Sequence, residues 1–475
     1  MPTGARLKGD TLKLEVYKMN LLKQIAQRIG IDKSIAYSSG ARIIQAFTGV
    51  ASIIFISKYL TGIEQGFYYT FGSIVAIQVF FELGLTGIIT QYVAHEASHL
   101  TLNNLQQFEG EEKYKSRLGS LLRFSIKWYA IISILLFLAL IIIGFIFFER
   151  YDQSEGTVSW RIPWILISLG TAIKLFQSPL TSLLMGIGKV KEMSKIGFYQ
   201  QIILPASAWI GLVCGFKLYV VGISTILAAL IWNIYISKTS MQRILTNLWK
   251  EKITTRVQYM KEIFPFQWKI ALSWISGYFI FQLFNPVLFA TEGAVVAGQM
   301  GMTLAALNGI QSLSLSWLNT KVPLYSRLIA LKDYEQLDQI FNKTLKQMTL
   351  VCLCLLCIMM IGIWGIRYYD IQLGGKPLGE RFLDYLPMLL MMIPLFINQY
   401  VASWATYLRC HKQEPFLTNS IFTGIACCLS TFILGKYFGL YGITSGYCLI
   451  TIAVLPWGYY IYKTKKQRKL PKLAY

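Results

Sequence analysis

Six ionisable side chains lie inside long apolar runs of this 475-residue chain: Arg42, Glu82, Arg123, Lys127, Lys174 and Lys269. A charge in hydrocarbon costs a few kcal/mol or more, so it normally faces a wet cavity or a partner. Lys174 is the sharpest case, because it stands twelve residues from either end of its run (162–186) and cannot easily snorkel out. Arg42 and Lys269 lie one to two helical turns from the ends of their runs, within reach of a cavity. Arg123 and Lys127 sit at an edge, where their stems reach the surface as readily as a cleft. Five of the six are cationic, and a cavity lined by Lys and Arg suits an anion. Phosphate or pyrophosphate is the obvious membrane-borne one. Glu82 is the single deep acid, open to ion coupling or to a structural ion pair.

Neutral groups in the same runs add a second chemistry. Gln78, Gln200, Gln201, Gln282, Asn285, Asn308, Gln311, Asn398 and Gln399 can bind sugar hydroxyls, with Tyr199 and Trp268 as stacking surfaces. Each can equally bond a neighbouring helix. A different chemistry is spelled by His95-Glu96-Ala97-Ser98-His99, which matches H-E-x-x-H. On a helix this puts two imidazoles on one face for zinc, with Glu96 as general base. The remaining histidine is His411, so a third ligand would be an acid or His411 itself. The cysteines of the 352–357 stretch lie among Leu, Ile and Met and read as small apolar filler, so no metal or other cofactor is expected.

The elements that must position these groups are transmembrane helices. Charged residues make up 14% of the chain against roughly 25% in soluble proteins. Mean hydropathy is +0.49. Runs of 17–25 apolar residues give twelve spans: 38–60, 66–92, 124–148, 162–186, 197–216, 218–236, 264–290, 294–318, 345–366, 382–408, 416–435 and 438–462. The closely joined pairs, fifth with sixth and eleventh with twelfth, are the least separated.

The net charge of +22 would suggest nucleic acid on a soluble domain, but here its placement follows the membrane. With the N-terminus inside, the seven inner segments hold 32 Lys and Arg and the alternate segments hold seven. That alternation is the positive-inside pattern and puts both termini in the cytoplasm. Nucleic acid is not an expected partner. Residues 1–36 contain no cleavable signal and fit a basic amphipathic helix on the membrane surface. Met19 serves as well as Met1 for a start. The outer loops, 149–161 and 367–381 at their longest, have no room for a folded domain.

The chain also reads as duplicated. Arg42 and Lys269 near the inner ends of spans 1 and 7 are 227 residues apart. Lys217 and Lys436, which open spans 6 and 12, are 219 apart, and Lys189 and Lys412 after spans 4 and 10 are 223 apart. A parallel repeat predicts a basic segment 1–36, a six-helix bundle over 37–236, a basic linker 237–262, a second bundle over 263–462 and a basic tail 463–475.

Four stretches resemble one family: ARIIQAFTGVASIIFISKYLTGIEQGFYYTFGS, FFELGLTGIITQYVA, TKVPLYSRLIALKDYEQLDQIFNKTLK and FGLYGITSGY. They are similar to the O-antigen and capsular polysaccharide flippases of the multidrug and oligosaccharidyl-lipid/polysaccharide exporter superfamily. Their patterns are of Gly, Pro and charge, and drug extruders of the superfamily share many of them. The resemblance implies an all-α polytopic membrane protein, two six-helix bundles related by a pseudo-two-fold around a central cleft. It implies alternating-access transport of undecaprenyl-pyrophosphate-linked oligosaccharide across a bacterial inner membrane, without catalysis. It implies membrane lipids and the polysaccharide polymerase machinery as partners. The cationic lumen of the family falls on Arg42, Lys174 and Lys269, and Glu82 falls where members often carry an acid. Twelve spans differ from the fourteen of the lipid II flippases. A multidrug or cation extruder, whose cleft would need several acids, is the alternative within the superfamily. A membrane zinc metalloprotease using His95, Glu96 and His99 is the alternative outside it.

Overall fold

The computed structural model describes residues 44, 48–154, 156–411 and 415–467, the side chain of residue 266 excepted. Helix α1 (Thr48–Tyr59) is the described part of the first expected span. Helix α2 (Gly62–Val75) starts at a capping box, in which Thr61 and Glu64 satisfy each other's backbone N–H. A 3-10 turn (Ala76–Gln78) and α3 (Val79–Glu82) continue the span to Leu83 and Gly84, both in the left-handed region. There the chain bends by 43° into α4 (Leu85–Ala97). A hairpin of β1 (Leu100–Leu102) and β2 (Phe108–Gly110) leads to α5 (Glu112–Tyr151), which extends three turns beyond the apolar run it contains. Then follow α6 (Arg161–Gly186), α7 (Val190–Val213) and α8 (Tyr219–Ser237).

A short amphipathic helix, α9 (Ser240–Lys250), buries Met241, Ile244 and Leu248 and begins the connection to the second half. After α10 (Tyr259–Glu262), α11 (Phe264–Phe281) and α12 (Phe284–Glu292) form one interrupted span. Helices α13 (Ala294–Ala330) and α14 (Tyr334–Tyr368) follow. A second hairpin, β3 (Gln372–Leu373) with β4 (Lys376–Pro377), turns on Gly374 and Gly375, both at positive φ. That is the conformation a two-residue hairpin turn requires. Helix α15 (Tyr385–Cys410) precedes α16 (Leu417–Gln467), whose backbone breaks at Gly439 (φ 54°, ψ −134°).

Each of the twelve expected spans coincides with helix, the first only over its described part. The two tightly joined pairs are separated by Cys214–Leu218 and by Gly439. Among the described residues seven helices are long and apolar enough to cross a membrane, and the bent α2–α4 unit makes eight. Helices α6 and α13 have the length but fall below that hydropathy. The protein is an all-α, multi-pass membrane protein.

In the first half α6 is central and packs against α4, α5 and α8, while α7 lies on α8. In the second half α16 packs on α11, α12 and α15, and α13 on α12, α14 and α15. Glycines set the closest approaches. A Cβ on Gly144 of α5 would stand 2.0 Å from the indole nitrogen of Trp164, which donates to the Leu140 carbonyl at 2.9 Å. Gly144→Val should therefore force α5 off α6 and cost about 3 kcal/mol or more. Thermal unfolding of the purified variant should fall by several degrees, and an unshifted midpoint would show that the pair can repack.

Candidate functional site

The two halves meet along α2 and α13. Near the end of the molecule that carries the short loops 149–161 and 367–384, this seam is closed backbone to backbone. A Cβ on Gly66 would lie 1.9 Å from the Ala294 carbonyl oxygen, one on Gly298 would lie 2.9 Å from the Gly66 nitrogen, and one on Gly301 would lie 2.3 Å from Tyr69. Asn308 lies close to the same helical face of α13 as Gly301, seven residues or about 10 Å further on. It is exposed. Along this helix pair the seam is tight at the short-loop end, and Asn308 is exposed where α13 runs on towards the end that carries the 237–262 linker.

Lys174 lies at mid-helix in α6. At about 100° per residue it is roughly 180° round the helix from Ile165 and roughly 140° from Leu169, which form the outward apolar stripe. Its neighbours on the wheel face other helices: Gly170 meets Thr225, and Gln177 donates to the Ala229 carbonyl at 2.9 Å. The Lys174 side chain is exposed yet surrounded by protein, as expected of a group lining a cleft. Among the described residues it has no ion pair.

Glu82 closes α3 beside the break. Its carboxylate accepts a 2.6 Å hydrogen bond from Thr86 across Leu83 and Gly84. Among the described residues it too has no ion pair. A Cβ at Gly84 would sit 2.4 Å from Ile270, so α11 of the second half presses on the break. A cavity of about 250 Å³ opens there, lined by Leu83, Tyr259, Phe264, Gln267, Trp268, Ala271 and Leu272. Lys269, one residue beyond Trp268, is exposed, with its ammonium 5.7 Å from that ring's centroid. Arg42 lies outside the described residues.

Arg123 has a different task from lining a cleft. Its guanidinium donates to the carbonyls of Trp249 (2.5 and 3.1 Å) and Glu251 (2.8 Å), capping the C-terminus of α9. Lys127, one turn along α5, is exposed. Several candidate sugar ligands are also occupied: Gln200 donates to the Ala228 carbonyl, Asn285 to Ser73 across the seam, and Asn398 to Tyr447. Among the described residues the buried side-chain amide of Gln399 has no hydrogen-bond partner.

The HEASH residues belong to an ion-pair knot. Glu96, 4% exposed, receives the Arg117 guanidinium at 3.1 Å, and the same guanidinium holds Glu262 at 2.5 Å. Tyr92 also bonds Glu262. A carboxylate engaged in this way is not free to act as a general base. His95 points outward, His99 stacks on Tyr114 at 4.2 Å, and His411 is buried against Tyr334 and Tyr407 in the second half. The described residues contain no group of three metal-ligating side chains. In the 352–357 stretch Cys352 is buried while Cys354 and Cys357 are exposed, so their thiols do not converge.

By sequence Arg381 lies in a short loop with no evident role. In the structure it is 6% exposed and crosses the seam, beside Gln65, Lys376 and the Lys217–Glu64 pair (2.8 Å). The Gly374-Gly375 turn was the legible signal for a hairpin that could aim these side chains.

Two helical halves that meet along α2 and α13 carry the exposed Lys174, Lys269 and Asn308. No family model matches the sequence, and no curated protein matches it. Solved structures do. A multidrug resistance MATE family transporter of the MOP superfamily in its inward-facing conformation gives a TM-score of 0.58 at 12% identity, covering 90% of this chain and 100% of that one. The lipid II flippase MurJ in an inward closed conformation gives 0.57 at 13% identity, covering 90% and 87%. An outward-facing MATE transporter of the same superfamily gives 0.52 at 12% identity, covering 93% and 98%. The chain shares the fold of these solved structures.

Proposed function

We propose that this protein is a flippase for an undecaprenyl-pyrophosphate-linked oligosaccharide, working by alternating access in a bacterial inner membrane. The observation that carries this reading is Lys174, exposed at mid-membrane on the inward side of α6 with no acidic partner among the described residues. A permanent membrane-buried cation of this kind needs an anion for part of its cycle, and a lipid-borne pyrophosphate supplies one. Lys269 and Arg42 are proposed to extend the cationic path, and Asn308 and its neutral neighbours to hold the glycan. The polyprenyl tail stays in the bilayer. On this reading the basic linker end faces the cytoplasm, where such lipids are assembled, which the positive-inside charge pattern supports. A cation or drug extruder of this fold would need several acids inside, and among the candidate residues Glu82 stands alone.

A deletion strain tests the substrate class. Its lipid extracts should accumulate undecaprenyl-pyrophosphate glycan while surface polysaccharide is lost, and the wild-type gene should restore both. Normal surface polysaccharide without accumulation would sink the reading and favour the extruder.

A further inference from the structure

We propose that Arg381 is a latch with two sets of partners. In the closed seam it caps the end of α1 across the two halves, and when the seam opens its guanidinium passes to the anionic head of the cargo. The proposal rests on the flippase reading for the identity of that anion, and on geometry alone for the latch.

The 3-10 turn Gly379–Arg381 is fixed to its own half by Arg367, which donates to the carbonyls of Gly379 (3.2 Å), Phe382 (3.2 Å) and Leu383 (3.1 Å). From this mount Arg381 reaches into the first half. It donates to the Leu60 carbonyl at 2.8 Å, to Ser57 at 3.5 Å and to the Gln65 side-chain oxygen at 3.3 Å. The Gln65 amide returns bonds to the carbonyls of Gly298 (2.8 Å) and Arg381 (3.1 Å). Lys376 adds a bond to Leu60 at 3.2 Å. The last carbonyls of a helix have no partner within it and carry its negative dipole end. Here the other half of the protein supplies the cation that satisfies them.

Arg381 is charged, nearly fully buried and without an ion pair among the described residues. The nearby acid Glu64 is already committed to Lys217 and to the capping box. Its direct partners are therefore neutral: the carbonyls of Ser57 and Leu60 and the Gln65 side-chain oxygen. If the halves part at this end, those acceptors leave, and a guanidinium facing the opened mouth needs new ones. A pyrophosphate offers the bidentate geometry that guanidinium prefers. A ligand that binds the open arrangement better shifts the equilibrium towards it, so the cargo's own head would help to open its exit.

Ser57 provides a reporter, since it is 1% exposed beneath the latch and, among the described residues, its hydroxyl has no hydrogen-bond partner. The full chain, with its eight cysteines replaced and Ser57→Cys introduced, is purified in detergent and its maleimide labelling rate measured with and without farnesyl diphosphate. Labelling of this parent should be slow and should rise about fivefold with the diphosphate. Arg381→Gln should raise basal labelling about tenfold and abolish the further effect of the diphosphate. Gln65→Leu, which removes partners from the opposite side, should raise basal labelling in the same direction and serves if Arg381→Gln does not fold. Parent-like labelling in the folded variants would overturn the latch. Equal acceleration by the diphosphate with and without Arg381 would overturn the exchange. The deletion-strain assay has no labelling step, so failure of the flippase reading appears there separately.

Discussion

Lys174→Ala should abolish surface polysaccharide while the protein still inserts and accumulates normally. The side chain is exposed, and α6 is held in place by Gly170 against Thr225, Gln177 on the Ala229 carbonyl and Trp164 in the aromatic cluster with Phe71 and Phe148. Removing the ammonium takes away a charge-assisted bond to the cargo, worth about 1.5–3 kcal/mol. That corresponds to a loss of roughly tenfold to a hundredfold in cargo affinity at the cleft. Lys174→Arg retains the cation and should recover part of the activity, whereas a packing role would be met better by methionine. The checks are complementation of the deletion strain and membrane levels of each variant. Full complementation by Lys174→Ala would remove the central residue of the mechanism.

Arg117→Met should be strongly destabilising, although it lies outside the cleft. It leaves Glu96, 4% exposed, and the partly buried Glu262 as unpaired like charges. Breaking a buried ion pair from one side costs about 3–5 kcal/mol, and partial exposure of Glu262 places the loss near the lower end. The effect should also be local. The linker is bound along α5 by Ser116, which bonds Thr254 and Thr255, by Ser120 under Val257 and by Arg123 at the end of α9. Arg117 fixes the far end of that strip at the entrance to α11. Its loss should loosen the backbone around Lys252 and Arg256, whose side chains are already exposed, speed their cleavage by trypsin and lower the melting temperature. Adding Glu96→Gln and Glu262→Gln removes the uncompensated charges and should restore much of the stability. Protease resistance equal to wild type in Arg117→Met would show that the serines hold the linker unaided.

The same cluster shows what spacing cannot convey. His95, Glu96 and His99 have the separation of a zinc motif, yet the carboxylate is taken by an arginine twenty-one residues further on and by the position of Glu262, 145 residues beyond that arginine. Arg123 illustrates the same limit. As sequence it is a cation at the edge of an apolar run. In three dimensions α5 continues past that run, so Arg123 meets the end of α9 rather than a cleft.

The sequence by itself determined the helices and their approximate limits, because water-free surroundings require apolar runs of a definite length with their backbone bonds satisfied internally. It also determined that α6 carries a cation at mid-span, since burial depth follows from counting residues. The tertiary structure decided which polar groups remain free to act. Asn285, Asn398 and Gln200 bond other helices or side chains, whereas Asn308 and Lys174 are exposed. It also decided that Arg381, in a loop of no evident importance, closes the seam on carbonyls more than three hundred residues away. Backbone carbonyls occur at every position, so a bond between one of them and a distant guanidinium leaves no mark in the residue types and exists only once the helices are packed.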